Sequence, residues 1–177
     1  MAWQTNDSWQ LGDGVSATRL NKISGNLDYL LKPDMFILTV RNASDISKTL
    51  STYTAPVAID DLQFTMAFTA KANTRLLIGG YLPYVSSATA ARIVRFDWLM
   101  DDTYYMSSNT TTPLAGGLSN TGYIDTATAG APVSFSYVYE NPTVGAHTWK
   151  LRAWGSAATT ATVALAGLVA QCYIREI

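Results

Sequence analysis

The sequence has few charged residues and only one cysteine. Asp, Glu, Lys and Arg make up 14% of the 177 residues, against about 25% in a typical soluble domain. The surface must therefore be built largely from Thr, Ser, Asn, Ala and Gly, which suits a chain that packs against partners. One cysteine cannot form a disulfide framework or a zinc site. We expect Cys172 to be a small buried apolar residue.

Sequence features of nucleic-acid binding, membrane insertion and cofactor binding are also missing. The net charge is −1, and without a basic run we expect no nucleic-acid partner. There is no apolar run of 18 residues, so we expect no membrane-spanning helix. The first residues have neither the basic nor the apolar region of a signal peptide, so we expect none. No P-loop or dinucleotide fingerprint occurs, and we expect no cofactor.

Residues suited to catalysis are sparse. His147 is the only histidine, and nothing resembles the nucleophile elbow of a serine hydrolase. We expect His147 to be structural. Adjacent Asp60 and Asp61 point to opposite faces if they lie in a strand, so they do not form the facing carboxylate pair of a glycosidase. A distant partner such as Glu140 leaves that alternative open.

The densest acidic cluster has two interpretations. Asp97, Asp101 and Asp102 offer oxygen ligands of the kind that calcium requires. The segment "MDDTY" is equally good turn chemistry, because Asp tolerates the backbone angles of tight turns. No EF-hand-like ligand series is present. We therefore predict a hairpin turn here and no metal site.

One amphipathic helix is predicted near the N-terminus. Ser16 is a good N-cap, and Leu20, Ile23, Leu27 and Leu30 follow at 3-4-3 spacing, which forms one apolar stripe and is also the seam spacing of a coiled coil. Pro33 ends the helix. So short a helix is marginal alone, so its stripe must contact its own domain, sister copies or another protein.

From Met35 onward the apolar residues alternate with polar ones, which is typical of strands. Segments 62–68, 94–100 and 133–139 alternate most clearly, and no helical crossover lies between strands. The pattern predicts an all-β fold, an antiparallel jelly-roll sandwich preceded by an N-terminal arm and one amphipathic helix. We place the anchoring arm and helix at residues 1–33 and the β-sandwich domain at 34–177. The glycines in "IGGY" indicate a bulge, and loop 106–131 is expected at the surface.

Two tryptophans lie in the arm, ahead of any segment with a core of its own. Trp3 and Trp9 are therefore expected to be buried in a partner, since tryptophan dominates interface energetics. Together with the helix stripe they form the predicted partner-binding set: Trp3, Trp9, Leu20, Ile23, Leu27 and Leu30. The alternative is that the arm folds back on its own domain.

Two segments carry a resemblance to a known family. The run "WQLGDGVSATRLNKISGNLDYL" contains a tryptophan followed by a "GD-hydrophobic-TA-x-x-LN"-like entry into a helix, with matches at Trp9, Gly12, Asp13, Val15, Ser16, Ala17, Leu20 and Asn21. It resembles the opening of small structural proteins of tailed-bacteriophage virions. Gly145, His147 and Leu151 match the "G-x-H-x-x-x-L" strand of jelly rolls similar to the C1q/tumour-necrosis-factor type.

The resemblance implies a non-enzymatic virion protein, usually a homotrimer anchored by its N-terminal part. No long shaft is present, so we expect a capsid decoration or cement protein on the particle surface, with the major capsid protein as partner. The alternative is a tail-tip or tail-fibre head protein that binds a host receptor or glycan. A third possibility is a small polysaccharide-degrading enzyme. An exposed patch of aromatic and acidic residues would favour the receptor-binding or glycan-binding protein, an adhesin. Paired carboxylates in a cleft would favour the enzyme.

Overall fold

The computed structural model describes residues 20–24, 27, 34–41, 43–52, 57–58, 63–71, 74–108, 110–122, 124, 126–140 and 142–177. The chain divides into two compact units, Met1–Asp34 and Met35–Ile177. In the first unit, residues 20–24 and residue 27 are helical, and we call this segment the N-terminal helix. The second unit, the body, is built from strands.

The body contains twelve strands in its described residues. They are β1 (Met35–Arg41), β2 (Ile46–Leu50), β3 (Val57–Ala58), β4 (Thr65–Ala70), β5 (Leu76–Ser87), β6 (Val94–Met100), β7 (Tyr104–Tyr105), β8 (Ser119–Asn120), β9 (Ala131–Tyr139), β10 (Gly145–Gly155), β11 (Thr159–Ala164) and β12 (Val169–Glu176). The two-residue strands β3, β7 and β8 are too short for alternation to predict.

The strands form two antiparallel sheets. The first has the order β1-β12-β5-β11-β2, with β9 paired to β5. The second has the order β3-β10-β6-β7, with β4 paired to β10 and β8 to β6. The prediction of an all-β antiparallel sandwich with a short N-terminal helix is confirmed.

The core lies between the sheets and is rich in aromatic side chains. Alternation in β6 and β10 sends Phe96, Trp98 and Trp149 inward, and all three are fully buried. Edge-to-face contacts connect the sheets, as between Trp98 and Phe135, whose ring centroids are 6.3 Å apart. Such pairs add to the stabilisation that comes from apolar burial. Cys172 is buried in this core, as expected, and burial raises the pKa of its thiol to about 12.

The bulge expected at the "GG" of β5 lies elsewhere. Gly79 and Gly80 pair regularly with both β12 and β9, and the register shifts only between Leu82 and Val85. The glycines instead make room on the two faces of the strand. A Cβ at Gly79 would lie 2.3 Å from the ring of Tyr173, and one at Gly80 would lie 2.6 Å from the ring of Phe135.

Loop 106–131 is partly buried, contrary to the expectation of a surface loop. Met106 and Ile124 are among the buried residues. A Cβ at Gly117 would lie 2.7 Å from the ring of Trp154, which is buried on the strand face opposite the sandwich core. The loop therefore covers the far side of the second sheet, and its many Ser and Thr residues concealed this layer in the sequence.

Candidate functional site

The turn between β6 and β7 is the tight hairpin that "MDDTY" predicts. Asp101 and Asp102 both have positive φ, 51° and 54°. The backbone N–H of Thr103 donates to the carbonyl of Met100 at 3.0 Å. Positive φ at both central positions defines the type I′ turn, whose twist matches that of a β-hairpin. Asp accepts the left-handed conformation more readily than most residues, which explains its use here.

Asp101 and His147 form a bonded pair beneath this turn. Oδ2 of Asp101 lies 2.8 Å from Nδ1 of His147, and Oδ1 accepts the backbone N–H of Thr148 at 2.7 Å. Nε2 of His147 lies 2.8 Å from the carbonyl oxygen of Thr143. A carboxylate and a carbonyl are both acceptors, so this arrangement favours the protonated imidazole, in which both ring nitrogens donate.

The pKa of His147 is shifted in the direction that favours the protonated ring. Burial lowers the pKa of His147, but the hydrogen bonds to Asp101 and Thr143 and the charge of Asp101 outweigh it, so the pKa lies above its ordinary value of 6.5. With both nitrogens donating, the ring has no lone pair with which to accept a proton. In this arrangement His147 is a structural clamp that holds the start of β10 against the turn.

The exposed side of the turn carries opposite charges and one aromatic ring. Asp102 accepts from Nζ of Lys150 at 3.0 Å and lies 3.4 Å from Nη2 of Arg152. Tyr104 follows on β7 and is 44% exposed. This set, Asp102, Tyr104, Lys150 and Arg152, is called the hairpin tip below. The hairpin tip thus combines an exposed aromatic ring with a carboxylate that is paired with two basic side chains.

Asp97 is separated from the other two aspartates. It lies on β6 with no solvent exposure, where Oδ1 accepts the backbone N–H groups of Trp98 at 2.8 Å and Ser107 at 3.3 Å. Its Oδ2 accepts the hydroxyl of Ser107. Burial raises the pKa of Asp97 to about 6, and these hydrogen bonds reduce the rise. The carboxyl group fastens the covering loop to the second sheet.

No metal centre joins these residues. Within the described ranges, no group of three or more His, Cys, Asp or Glu side chains could hold a metal ion. The calcium alternative for Asp97, Asp101 and Asp102 therefore lacks a clustered ligand set. Asp60 and Asp61 lie outside the described residues. Glu140 is exposed, 3.9 Å from Arg75.

The first sheet presents an exposed apolar surface to solvent. We define the outer sheet face as the outward positions of β1, β12, β5 and β9. Three aligned rows cross it, Met35–Arg175–Leu77–Val138, Ile37–Tyr173–Gly79–Ser136 and Thr39–Gln171–Tyr81–Ser134. Met35, Ile37 and Tyr81 are 53%, 55% and 49% exposed.

The charges on the outer sheet face have one sign. Arg41 and Arg175 are its charged residues, and no carboxylate occupies an outward position of these four strands. Tyr173 lies across Gly79, so the middle row is occupied by an aromatic ring close to the backbone. The face thus combines exposed apolar residues such as Ile37 and Tyr81 with two basic side chains and with uncharged polar residues such as Gln171.

The outer sheet face was not predicted from the sequence, although one signal was present. The strand "MFILTVR" is apolar on both of its faces, unlike the alternating strands. Phe36 and Leu38 pack against the core, while Met35 and Ile37 point out. An edge strand of this kind normally carries charge or proline that prevents unwanted pairing.

The predicted partner-binding residues lie in the first unit. Trp3, Trp9 and Leu30 are outside the described residues. Leu20 and Leu27 are 54% and 51% exposed, and Ile23 is half-buried. Among the described residues, no helix is long and apolar enough to cross a membrane.

Comparisons with known proteins give distant structural similarity alone. No protein-family model matches the chain, and no curated protein matches it. The VP2 protein of infectious bursal disease virus, in a subviral particle, is similar over 82% of this chain at 14% identity and a TM-score of 0.46. The structure of the Gx strain of that virus is similar over 82% of this chain, at 14% identity and a TM-score of 0.47. This chain spans about a third of the length of those chains, 33% and 32%. Values this low do not discriminate between functions.

Proposed function

We propose that this chain is a non-enzymatic structural protein of a bacteriophage virion, a homotrimeric decoration or cement protein on the capsid surface. The N-terminal arm attaches it, and the major capsid protein is its partner. The observation that carries the proposal is the outer sheet face together with the exposed side chains of Leu20 and Leu27 on the N-terminal helix. Exposed apolar surface on two parts of one weakly charged chain is typical of a protein that works within an assembly.

The outer sheet face has the chemistry of a contact with a capsid protein that bears acidic side chains. Its centre offers Ile37, Tyr81 and Tyr173, and aromatic residues are enriched at interface cores. Arg41 and Arg175 are exposed and have no carboxylate beside them on the face. Two such faces pressed together would bring like charges close, which disfavours self-contact here.

The ionisable groups of the described body support a structural role over catalysis. Both ring nitrogens of His147 lie 2.8 Å from oxygen acceptors, and Asp101 also accepts from the backbone N–H of Thr148. Asp97 is buried under the covering loop. General acid–base catalysis needs a group that can reach a substrate proton, and these groups are already bonded to the fold.

The position of the protein on purified particles tests this proposal. Particles carrying a tagged copy, imaged by cryo-electron microscopy with gold-labelled antibody, should show label spread over the head. Label confined to the tail would overturn the decoration role and favour the adhesin. An absence of label from intact particles would contradict the proposal that this chain is a virion protein.

The hairpin tip favours a second candidate, a tail-tip or fibre-head protein that binds a host glycan. Tyr104 offers an exposed ring for stacking on a sugar, and Asp102 offers a carboxylate 58% exposed. Binding of the wild-type protein to a panel of bacterial surface polysaccharides, lost in Tyr104→Ala, would support this candidate. Release of reducing ends from those polysaccharides would instead support the third candidate, a polysaccharide-degrading enzyme.

A further inference from the structure

Three tyrosines follow the course of β5 on the outer side of the first sheet. Tyr81 lies on β5 itself and is 49% exposed. Tyr173 reaches β5 from β12, since a Cβ added to Gly79 would meet the hydroxyl end of its ring. Tyr84 lies within the register shift of β5, and a Cβ added to Gly130 would meet its ring. We call Tyr173, Tyr81 and Tyr84 the tyrosine strip.

Glycines allow two of these rings to lie along the sheet instead of standing up from it. Gly79 leaves the space that the end of the Tyr173 ring occupies. Gly130 is exposed and does the same for Tyr84, whose hydroxyl donates to the carbonyl oxygen of Thr128 at 2.7 Å. A ring that lies along a sheet offers one of its faces to a ligand above it. Because packing and hydrogen bonding orient these rings in advance, binding loses less conformational entropy.

Uncharged polar side chains flank the strip. Tyr81 is aligned with Gln171 and Ser134 on the neighbouring strands, and Gln171 is aligned with Thr39. Nε2 of Gln171 donates to Oγ1 of Thr39 at 3.4 Å, and Ser136 is exposed one row away. Each sugar ring has an apolar C–H face and hydroxyl groups around its edge. Exposed aromatic rings beside hydroxyl and amide groups therefore suit a glycan.

Charge complementarity narrows this ligand to an acidic glycan. Arg175 lies two residues from Tyr173 on the same face of β12, which is about 6.7 Å along the strand. No carboxylate occupies an outward position of β1, β12, β5 or β9. Glu140 lies past the end of β9, 3.9 Å from Arg75. A guanidinium group binds carboxylates and phosphates through paired hydrogen bonds, so an acidic group near a sugar on Tyr173 would meet Arg175.

We infer that the tyrosine strip binds a chain of an acidic polysaccharide, with sugar rings on Tyr173 and Tyr81 and an acidic group at Arg175. This site lies on the first sheet, whereas the hairpin tip belongs to the second. An acidic capsid protein and the glycan would exclude each other on this face of one copy. The inference therefore rests on the part of the proposed function in which the arm attaches the chain to the capsid.

Isothermal titration of the full-length protein with polysaccharide fragments tests the inference. Fragments of polygalacturonate, alginate and hyaluronate supply carboxylates, and a glycosylated teichoic acid supplies phosphate, so the probes distinguish the two kinds of anion. The methyl ester of the galacturonate fragment is the matched neutral ligand. At least one acidic probe should bind, more weakly as the salt concentration rises, and the methyl ester should bind at least about tenfold more weakly than its acid if polygalacturonate is that probe. If none of the four acidic probes binds, the inference is overturned.

Variants then assign the binding to individual residues. Tyr173→Ala and Tyr81→Ala should each raise the Kd at least about tenfold, whereas Tyr173→Phe keeps the ring and should stay within about threefold. Gly79→Ala should also weaken binding, because its Cβ displaces the Tyr173 ring without removing it. Tyr104→Ala at the hairpin tip is the matched control and should bind as the wild type does. Circular dichroism should show the same β-type spectrum for all of them.

Two results of the variant series would contradict the tyrosine strip. Glycan binding that is lost in Tyr104→Ala and kept in Tyr173→Ala and Tyr81→Ala would move the site to the hairpin tip. Strip variants that keep glycan binding but occupy fewer sites on virions would identify the face as the capsid contact instead. Neither result bears on whether the chain is a virion protein, which the label on purified particles tests separately.

Discussion

At the scale of single residues, the polar groups buried in this body differ in how well the fold accommodates their charge. His147 has an acceptor within hydrogen-bond distance of each ring nitrogen, which favours its charged form. Asp97 is fully buried, and burial raises its pKa from 3.8 to about 6 in spite of three hydrogen bonds from Trp98 and Ser107. A carboxyl group whose pKa is raised on folding destabilises the folded state when ionised. Asp97 thus lowers stability at neutral pH.

Replacing Asp97 by Asn should therefore stabilise the protein at pH 7.5. The amide oxygen can accept the two backbone N–H groups on Oδ1, and the NH₂ can donate to the Ser107 hydroxyl. Because one pKa unit corresponds to about 1.4 kcal/mol, we expect a gain of roughly 1–3 kcal/mol. The favourable state of Asp97 is fully present below pH 3.8 and is lost as the pH rises through about 6. The advantage of Asp97→Asn should accordingly disappear towards pH 4.

Urea denaturation of both proteins from pH 4 to pH 8 measures this difference. Ser107→Ala serves as a control, since it removes one hydrogen bond to Asp97 and should destabilise at pH 7.5. A stability difference between Asp97→Asn and wild type that stayed constant across the pH range would show that Asp97 is not the titrating group.

At the scale of single elements, β5 shows why two adjacent glycines are required for different reasons. Gly80 faces the core, where an added Cβ would lie 2.6 Å from Phe135 and 3.0 Å from Sγ of Cys172. Gly80→Ala should destabilise the protein by about 1–3 kcal/mol, the usual effect of overpacking. Gly79→Ala should change stability by less than about 1 kcal/mol, because the half-exposed Tyr173 ring can move outward and Ala loses less backbone entropy than Gly.

Thermal or chemical unfolding of the two variants side by side tests the assignment of the faces. A larger loss from Gly79→Ala than from Gly80→Ala would contradict it. In a Tyr173→Ala background the effect of Gly79→Ala should become favourable or neutral, because the ring that it displaces is gone.

The β6–β7 turn offers a second matched pair of variants, because its two aspartates have different hydrogen-bond and ion-pair partners. Asp101→Asn removes the negative charge from buried His147 and should destabilise by about 1–3 kcal/mol at pH 6. Asp102→Asn removes exposed ion pairs with Lys150 and Arg152, which contribute little. Its effect should stay within about 0.5 kcal/mol.

The effect of Asp101→Asn should also depend on pH. The pKa of His147 is raised on folding, so its contribution is fully present below pH 6.5 and is lost as the pH rises through the folded-state pKa. Unfolding at pH 6 and pH 9 should show a smaller difference from wild type at pH 9. An equal loss at both values would mean that the ion pair with His147 does not carry the effect.

At the scale of the whole molecule, the described core belongs to the body. The buried core residues of the described ranges begin at Val40, with Phe36 and Leu38 packed against them. Deletion of residues 1–32 should therefore leave a protein with β-type circular dichroism and a cooperative melting transition. It should no longer bind virions.

Full-length Trp9→Ala is the companion variant for the arm. It should bind virions more weakly than wild type at an unchanged melting temperature. An unfolded truncated protein would mean that the helix belongs to the body's core. A truncated protein that still coats particles at full occupancy would mean that the outer sheet face makes the capsid contact without the arm.

Local sequence patterns alone determined the fold class. Alternation along β4, β6 and β9 predicts strands, and the side that each strand buries, because side chains in a strand point to opposite faces in turn. The "MDDTY" turn could also be predicted from the sequence, because a tight turn spans four residues and depends on the backbone preference of the Asp residues within it. The heptad spacing from Leu20 to Leu30 is likewise a local property of the sequence.

The tertiary structure decided what depends on neighbours distant in the chain. Gly79 and Gly80 look alike in sequence, and only the registers with β12 and β9 place Tyr173 against one and Phe135 against the other. Asp97 reads as part of an acidic cluster until the covering loop buries it. The outer sheet face forms because β1 pairs with β12, about 130 residues away. Burial and pairing are properties of the assembled sheets, so no local pattern could specify which apolar residues would remain exposed.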